Sequence, residues 1–216
     1  MALGTVGTPR TADASTGART SPSPAAPPPP YEPRFDAGRV CLDLLATAHP
    51  GERLGSVEAL RAWIAGSGLV PAGTPLAAAG PTWPAAFREL RADLDRLVRA
   101  ELAGRTADTA LARINAVALG APPAPWAERA DDGSLRRRLH TPPGCAALLC
   151  AVARDAVELL TDPAARARLR QCEGDNCPLV YLDTSRGRRR RWCSSEVCGN
   201  RERVARHRRR AALAHP

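Results

Sequence analysis

Two pairs of cysteines near the C-terminal end constrain this chain more than any other feature. Cys172 and Cys177 are separated by four residues, Cys193 and Cys198 by four more, and fifteen residues lie between the pairs. Each short turn can present two sulfurs to one tetrahedral ion, and the intervening segment brings the two turns together. The spacing is looser than the commonest two-residue form but within the range of structural sites. We therefore expect one Zn2+ ion held by Cys172, Cys177, Cys193 and Cys198. Four thiolates fill the coordination sphere, so the ion would be structural and not catalytic. It would also supply folding free energy that a module of about 45 residues with few large apolar groups otherwise lacks.

The surroundings of the cysteines suggest how the turns are built. Glu173-Gly174-Asp175-Asn176 consists of turn formers, and Leu179 to Asp183 reads as a strand terminated by Thr184-Ser185-Arg186-Gly187. A returning strand is expected to contain Arg190, Arg191 and Trp192, with Trp192 packing beneath the site. Ser194 or Ser195 can then cap a helix running to about Ala214, with Cys198 in its first turn, where free N–H groups and the helix dipole favour a thiolate. This is the treble-clef type of zinc finger.

The charge of the chain is segregated onto the same region. All 31 basic residues are Arg; residues 166–210 hold 14 of them against five acids, while the rest of the chain holds 17 Arg against 17 acids. The formal excess of +9 therefore lies in the last fifth. A basic block of this kind favours a polyanion, although a solvated face or a flexible tail would show the same composition. On the last helix Val197, Val204, Ala205, Ala211 and Ala212 form a narrow apolar stripe. Arg201, Arg203, Arg206, Arg208, Arg209 and Arg210 occupy most of the remaining surface, and Arg188, Arg189, Arg190 and Arg191 form a second cluster on the hairpin. Asn200 and Arg203 can reach base edges, with phosphate contact the default. About six phosphate contacts would give a slope near −5 in log K against log salt.

Three regions are expected. Residues 1–33, rich in Pro, Ala, Ser, Thr and Gly, read as a disordered leader. Residues 34–162 read as a helical domain. Val40 to Leu45 is a short apolar run compatible with a helix turn or a strand, and Ser56 can cap a helix carrying Val57, Leu60, Trp63 and Ile64. Trp83, Phe87, Leu90, Leu94, Leu97, Val98 and Leu102 recur at helical spacing up to Gly104. Thr106 is expected to cap a helix with Leu111, Ile114 and Val117, Asp131-Asp132-Gly133 marks a hairpin turn, and Cys145 to Leu160 forms a further helix broken before Pro163. Residues 163–216 then form the finger. The expected fold class is mainly α: a helical N-terminal domain with a small β-hairpin, then a treble-clef-like zinc finger of a β-hairpin and a basic helix.

No secretory segment follows the start Met, and the longest apolar run, Gly144 to Ala153, is too short to span a bilayer, so a cytoplasmic protein without a membrane partner is expected. There, seven cysteines argue for thiols and metal ligation over disulfides. Cys41, Cys145 and Cys150 read as small buried residues. His49 and His140 are isolated, and neither a Gly-rich phosphate loop nor a nucleophile motif is present, so no enzyme is expected.

The stretch Trp192-Cys193-Ser194-Ser195-Glu196-Val197-Cys198-Gly199-Asn200-Arg201, preceded by Cys172, Cys177 and Asp183, closely resembles the CGNR zinc finger. In that family the finger follows a helical ABATE domain, and members are regarded as stress-induced transcription regulators of bacteria. Phe35 through Gly38 to Leu42-Asp43-Leu44-Leu45-Ala46-Thr47 looks like the opening motif of that domain, with Ala46 where an Asn is usual. The resemblance implies a zinc-dependent, nucleoid-associated, DNA-binding transcriptional regulator whose N-terminal domain senses an unidentified effector or forms a homodimer. RNA binding or ribosome association, an enzyme with an accessory finger, and a protein-interaction treble clef remain open beside it.

Overall fold

The structure, a computed structural model, describes Met1 and residues 33–214. The expected leader, residues 1–33, lies outside the described residues apart from its two ends. Among the described residues the elements are α1 (Val40–Ala46), α2 (Val57–Gly66), α3 (Trp83–Leu102), α4 (Asp108–Ala118), β1 (Pro125–Arg129), β2 (Leu135–Leu139), α5 (Cys145–Thr161), α6 (Pro163–Arg166), β3 (Leu169–Gln171), β4 (Val180–Leu182) and α7 (Cys198–Ala214). This is the mainly α arrangement with two small antiparallel hairpins that the sequence implies. No described helix is long and apolar enough to cross a membrane.

The apolar run at Val40 resolves as a helix because α5 holds its first turn. Asp155 accepts the Cys41 N–H at 2.9 Å and the Arg39 Nε–H at 2.7 Å, so a seven-residue helix is capped from across the core. Ser56 caps α2 as expected, its Oγ accepting the Ala59 N–H at 3.1 Å. Phe87, Leu90, Leu94, Leu97 and Val98 of α3 are buried, and Gly104 adopts φ +64°, the left-handed geometry that stops a helix.

Thr106 does not cap α4. Ala107 takes the cap position without a side-chain bond, its carbonyl accepting the Leu111 N–H at 2.9 Å, because Ala107 is itself packed against the core. Ile114 is buried while Leu111 faces solvent. The hairpin pairs Pro125 with Leu139 through Arg129 with Leu135, and Gly133 supplies the positive φ of its turn. Helix α5 buries Leu148, Val152, Ala153, Ala156 and Leu159. Pro163 then opens α6, with Asp162 accepting the Ala164 N–H at 2.8 Å.

The C-terminal module is packed onto this body. Leu169, Val180, Tyr181, Leu182 and three of the candidate ligands belong to the same buried cluster as the helices. The Leu182 N–H donates to the Ala37 carbonyl at 2.8 Å, and Arg99 Nη2 donates to the Pro178 carbonyl at 3.1 Å. At Gly38, φ is +89° and an added β-carbon would lie 3.2 Å from Leu182 Cβ, so the contact needs glycine twice over.

Candidate metal centre

The first cysteine pair sits at the end of the β3–β4 hairpin, whose register pairs Leu169 with Leu182 and Gln171 with Val180. The Cys172 N–H donates to the Leu179 carbonyl at 2.8 Å and the Cys177 N–H to the Gly174 carbonyl at 3.0 Å, closing the turn. Asn176 adopts φ +56°, a conformation its short polar side chain tolerates. The hairpin partner of β4 is thus the upstream strand, and the expected returning strand through Arg190, Arg191 and Trp192 does not form. Asp183 is the reason. Its buried carboxylate accepts the Ser185 N–H at 2.9 Å, the Ser185 hydroxyl at 2.6 Å and the Arg190 N–H at 3.1 Å, which winds the chain into a loop. Those bonds, the Ser185 hydroxyl foremost, hold the Asp183 carboxyl below its usual range.

The returning segment reaches the cysteine turn instead of β4. The Glu173 N–H donates to the Arg191 carbonyl at 2.9 Å, and the Cys193 N–H donates to Cys172 Sγ at 3.2 Å. Of the two expected caps Ser194 is engaged ahead of the helix: its Oγ accepts the Glu196 and Val197 N–H groups at 3.1 and 3.2 Å and closes the turn that precedes α7. That turn delivers Cys198 as the first residue of α7.

All four sulfurs lie within 4.8 Å of one another. Cys177 Sγ is 3.7 Å from Cys193 Sγ, which is 3.6 Å from Cys198 Sγ. Zinc–sulfur bonds of about 2.3 Å in a tetrahedron place sulfurs about 3.8 Å apart, so the residues fit a single zinc ion. The electrostatics agree. Burial opposes ionisation of Cys172, but the N–H groups of Cys193 and Gly174 aimed at its sulfur hold its pKa down. Burial, and then the neighbouring sulfurs, push the Cys193 thiol up. Burial likewise raises Cys198 to about 11. A dication offsets that crowding and allows all four to ionise together. Gly174 makes room: a β-carbon there would lie 3.2 Å from Cys198 Cβ and 3.3 Å from Cys198 Sγ.

The arginines divide by what they touch. Arg190 turns inward: its guanidinium lies 4.4 Å over the Tyr181 ring and donates to the carbonyls of Trp192 at 2.9 Å, Asp36 at 3.1 Å and Cys193. Arg191 pairs with Glu173 at 2.6 Å and lies 5.3 Å from the Trp192 ring centre. Trp192 is half-buried against the first turn of α7, where an added Gly199 β-carbon would meet its ring at 3.7 Å. Arg209 and Arg206 share Glu202, at 2.8 and 3.9 Å. Among the described residues no carboxylate lies within 4.0 Å of Arg188, Arg189, Arg201, Arg203, Arg208 or Arg210. Arg203 donates to the Ser195 carbonyl at 3.2 Å, and Asn200 is exposed. The expected stripe stays open to water: Val204 of α7 and Val197, which falls in the turn before the helix, are each 43% exposed.

Sequence reasoning missed the supports of this centre: Tyr181, whose hydroxyl donates to the Arg190 carbonyl at 2.6 Å, and Arg34, which donates to Ser194 Oγ at 2.7 Å. The Asp183-x-Ser185 spacing, a signature of side-chain-closed turns, was the available signal for the loop. Outside the centre, Cys41 and Cys150 are buried as expected, Cys145 is half-buried, and His140 lies against Trp126 with ring centres 5.3 Å apart.

No curated protein matches the chain. The model of the ABATE family, described as "Putative stress-induced transcription regulator", matches residues 38–163, and that of the CGNR zinc finger matches residues 168–211. The first match alone spans more than half of the 216 residues, and the second encloses the four converging sulfurs. The chain therefore belongs to the ABATE family and ends in a CGNR zinc finger built around one structural zinc ion.

Proposed function

We propose that this protein is a zinc-dependent, DNA-binding transcriptional regulator of the cytoplasm, active on the chromosome and related to stress. The observation that carries this reading is the set of exposed arginines without acidic partners on α7 and the loop before it: Arg188, Arg189, Arg201, Arg203, Arg208 and Arg210. Guanidinium groups left unneutralised on an exposed helix of 17 residues have a natural partner in phosphate. Arg203, Arg206 and Arg210 fall on one face at i, i+3 and i+7, and Asn200 lies near the start of the helix. The metal centre fixes that start, while Arg190 and Arg191 brace the loop. The ABATE part then serves as sensor or dimerisation module, and the reading contains no catalytic step.

The test is fluorescence anisotropy of labelled duplex DNA, duplex RNA and single strands with the zinc-loaded chain across a salt series. We expect duplex DNA to bind best, with a slope of about −5 in log K against log salt for some six phosphate contacts. Tighter binding of RNA would move the reading to an RNA-binding factor. If no nucleic acid binds at low salt, the finger is a protein-interaction module.

A further inference from the structure

A groove of about 300 Å³ runs between the end of α1 and the start of α7. Ala46, Pro178, Leu179 and Val197 give it apolar walls, His49 and Arg201 add N–H donors, Arg34 and Asp36 line it as a pair 2.6 Å apart, and Cys177, Cys193 and Cys198 border it. The four ligands are not equivalent. Cys172, Cys193 and Cys198 are buried, whereas Cys177 is only partly so. Cys172 Sγ accepts N–H bonds from Gly174 and Cys193 at 3.4 and 3.2 Å; among the described residues no backbone N–H bonds the Cys177 sulfur. Such bonds draw charge from the Cys172 thiolate, so Cys177 combines a sulfur free of them with more access than the buried Cys193 and Cys198 have. One zinc ion with four thiolates carries a net charge of −2, which disfavours anions in the adjoining groove and leaves it suited to neutral, apolar molecules.

We propose that Cys177 is a modification site for small, neutral α,β-unsaturated carbonyl compounds, which the apolar groove gathers at its sulfur. The sulfur lone pair forms a carbon–sulfur bond at the β-carbon, and the C=C π pair moves toward the carbonyl as an enolate. His49 and Arg201 line the same groove and can donate to that oxygen. Water protonates the α-carbon, and the step needs no oxidant or reductant. Alkylated Cys177 is a neutral thioether and ceases to be an anionic ligand, so the finger loses one of the four charges that hold it together. Any consequence for DNA binding rests on the function proposed above; the modification itself does not.

The experiment treats the zinc-loaded full chain at pH 7 with N-phenylmaleimide, and separately with the polar acceptor acrylamide. Peptide mass spectrometry locates the adducts, a chromophoric chelator follows released zinc, and each rate is divided by that of free cysteine. Cys145 is the internal control, since it is also half-buried but is a thiol whose pKa burial raises. We expect Cys177 to react first, at least about tenfold faster than Cys145, with zinc release tracking its adduct. Its normalised rate should favour N-phenylmaleimide over acrylamide, while that of Cys145 should not. Ala46→Trp, which fills the groove, should slow Cys177 about tenfold at unchanged zinc content; if that variant fails to fold, the preference between the two acceptors in the native chain decides. First reaction at any other cysteine, or equal normalised rates for the two acceptors at Cys177, overturns the proposal.

Discussion

Replacing Gly174 by alanine tests the geometry of the metal centre more sharply than removing a ligand would. The added β-carbon would lie 3.2 Å from Cys198 Cβ, 3.3 Å from Cys198 Sγ and 3.5 Å from Cys172 Sγ. Optimal carbon contacts are nearer 3.5–4.0 Å, so something must yield by a few tenths of an ångström. Cys198 cannot withdraw easily, because the ion fixes its sulfur and α7 fixes its backbone. Moving Gly174 instead would lengthen its 3.4 Å N–H bond to Cys172 Sγ. Overpacking of this kind costs about 1–3 kcal/mol, which corresponds to a roughly 5- to 150-fold loss of zinc affinity. The assay is competition against a chromophoric chelator at pH 7. Gly187→Ala is the control, since its new atom would meet only Arg189 side-chain carbons at an ordinary 3.8 Å and should leave affinity unchanged. Zinc binding by Gly174→Ala within about twofold of the parent would refute the crowding argument.

Chelation of zinc should unfold the C-terminal module, read as loss of α7 helicity by circular dichroism; a metal-free chain with unchanged helicity would contradict the structural role of the ion. Gly38→Ala should destabilise the chain by about 1–2 kcal/mol in urea unfolding, since φ +89° is strained for alanine and Leu182 Cβ is already close. Arg203→Ala or Arg210→Ala should weaken binding to all duplex sequences alike and reduce the magnitude of the salt slope by about one. Asp43 is buried, and that burial, opposed by the Ala37 N–H and aided by the charges of Asp36 and Asp155, pushes its carboxyl up to about 7. The folded state therefore holds a proton that the unfolded chain, with a pKa of about 3.9, has released. Stability should fall as pH rises from about 4 to about 7 and change no further above that from this group. Asp43→Asn, which can still accept the Ala37 N–H, should flatten this dependence in urea midpoints measured at pH 5 and pH 8.

The sequence was most informative where one physical cause acts locally. Helix α3 follows from the repeat of Phe87, Leu90, Leu94 and Leu97, and α2 from the hydroxyl of Ser56, because periodicity and capping act within one or two turns. The ligand set was legible because four sulfurs must share one ion. The strand partner of β4 was not, since Asp183 diverts the chain through bonds to Ser185 and Arg190 that no alternation pattern encodes. Arg190 stands in a run of four arginines and reads as a surface charge, yet the ring of Tyr181 and three carbonyls draw it inward. The start of α4 was misplaced for a related reason: packing of Ala107 overrode the preference of Thr106 for a cap.

The bond from Leu182 to Ala37, and the close fit of Gly38 against it, make the finger a poor cassette for transplantation. Excising residues 163–216 would strip Val180, Tyr181 and Leu182 from the buried cluster and expose apolar surface on both fragments. A chimera carrying this finger on a foreign scaffold would have to bring along the strip from Arg34 to Gly38, which supplies an acceptor to Leu182 and Arg190 and a donor to Ser194. Heredity in this lineage should accordingly transmit the two parts as a matched set, with changes in one constrained by the surface of the other.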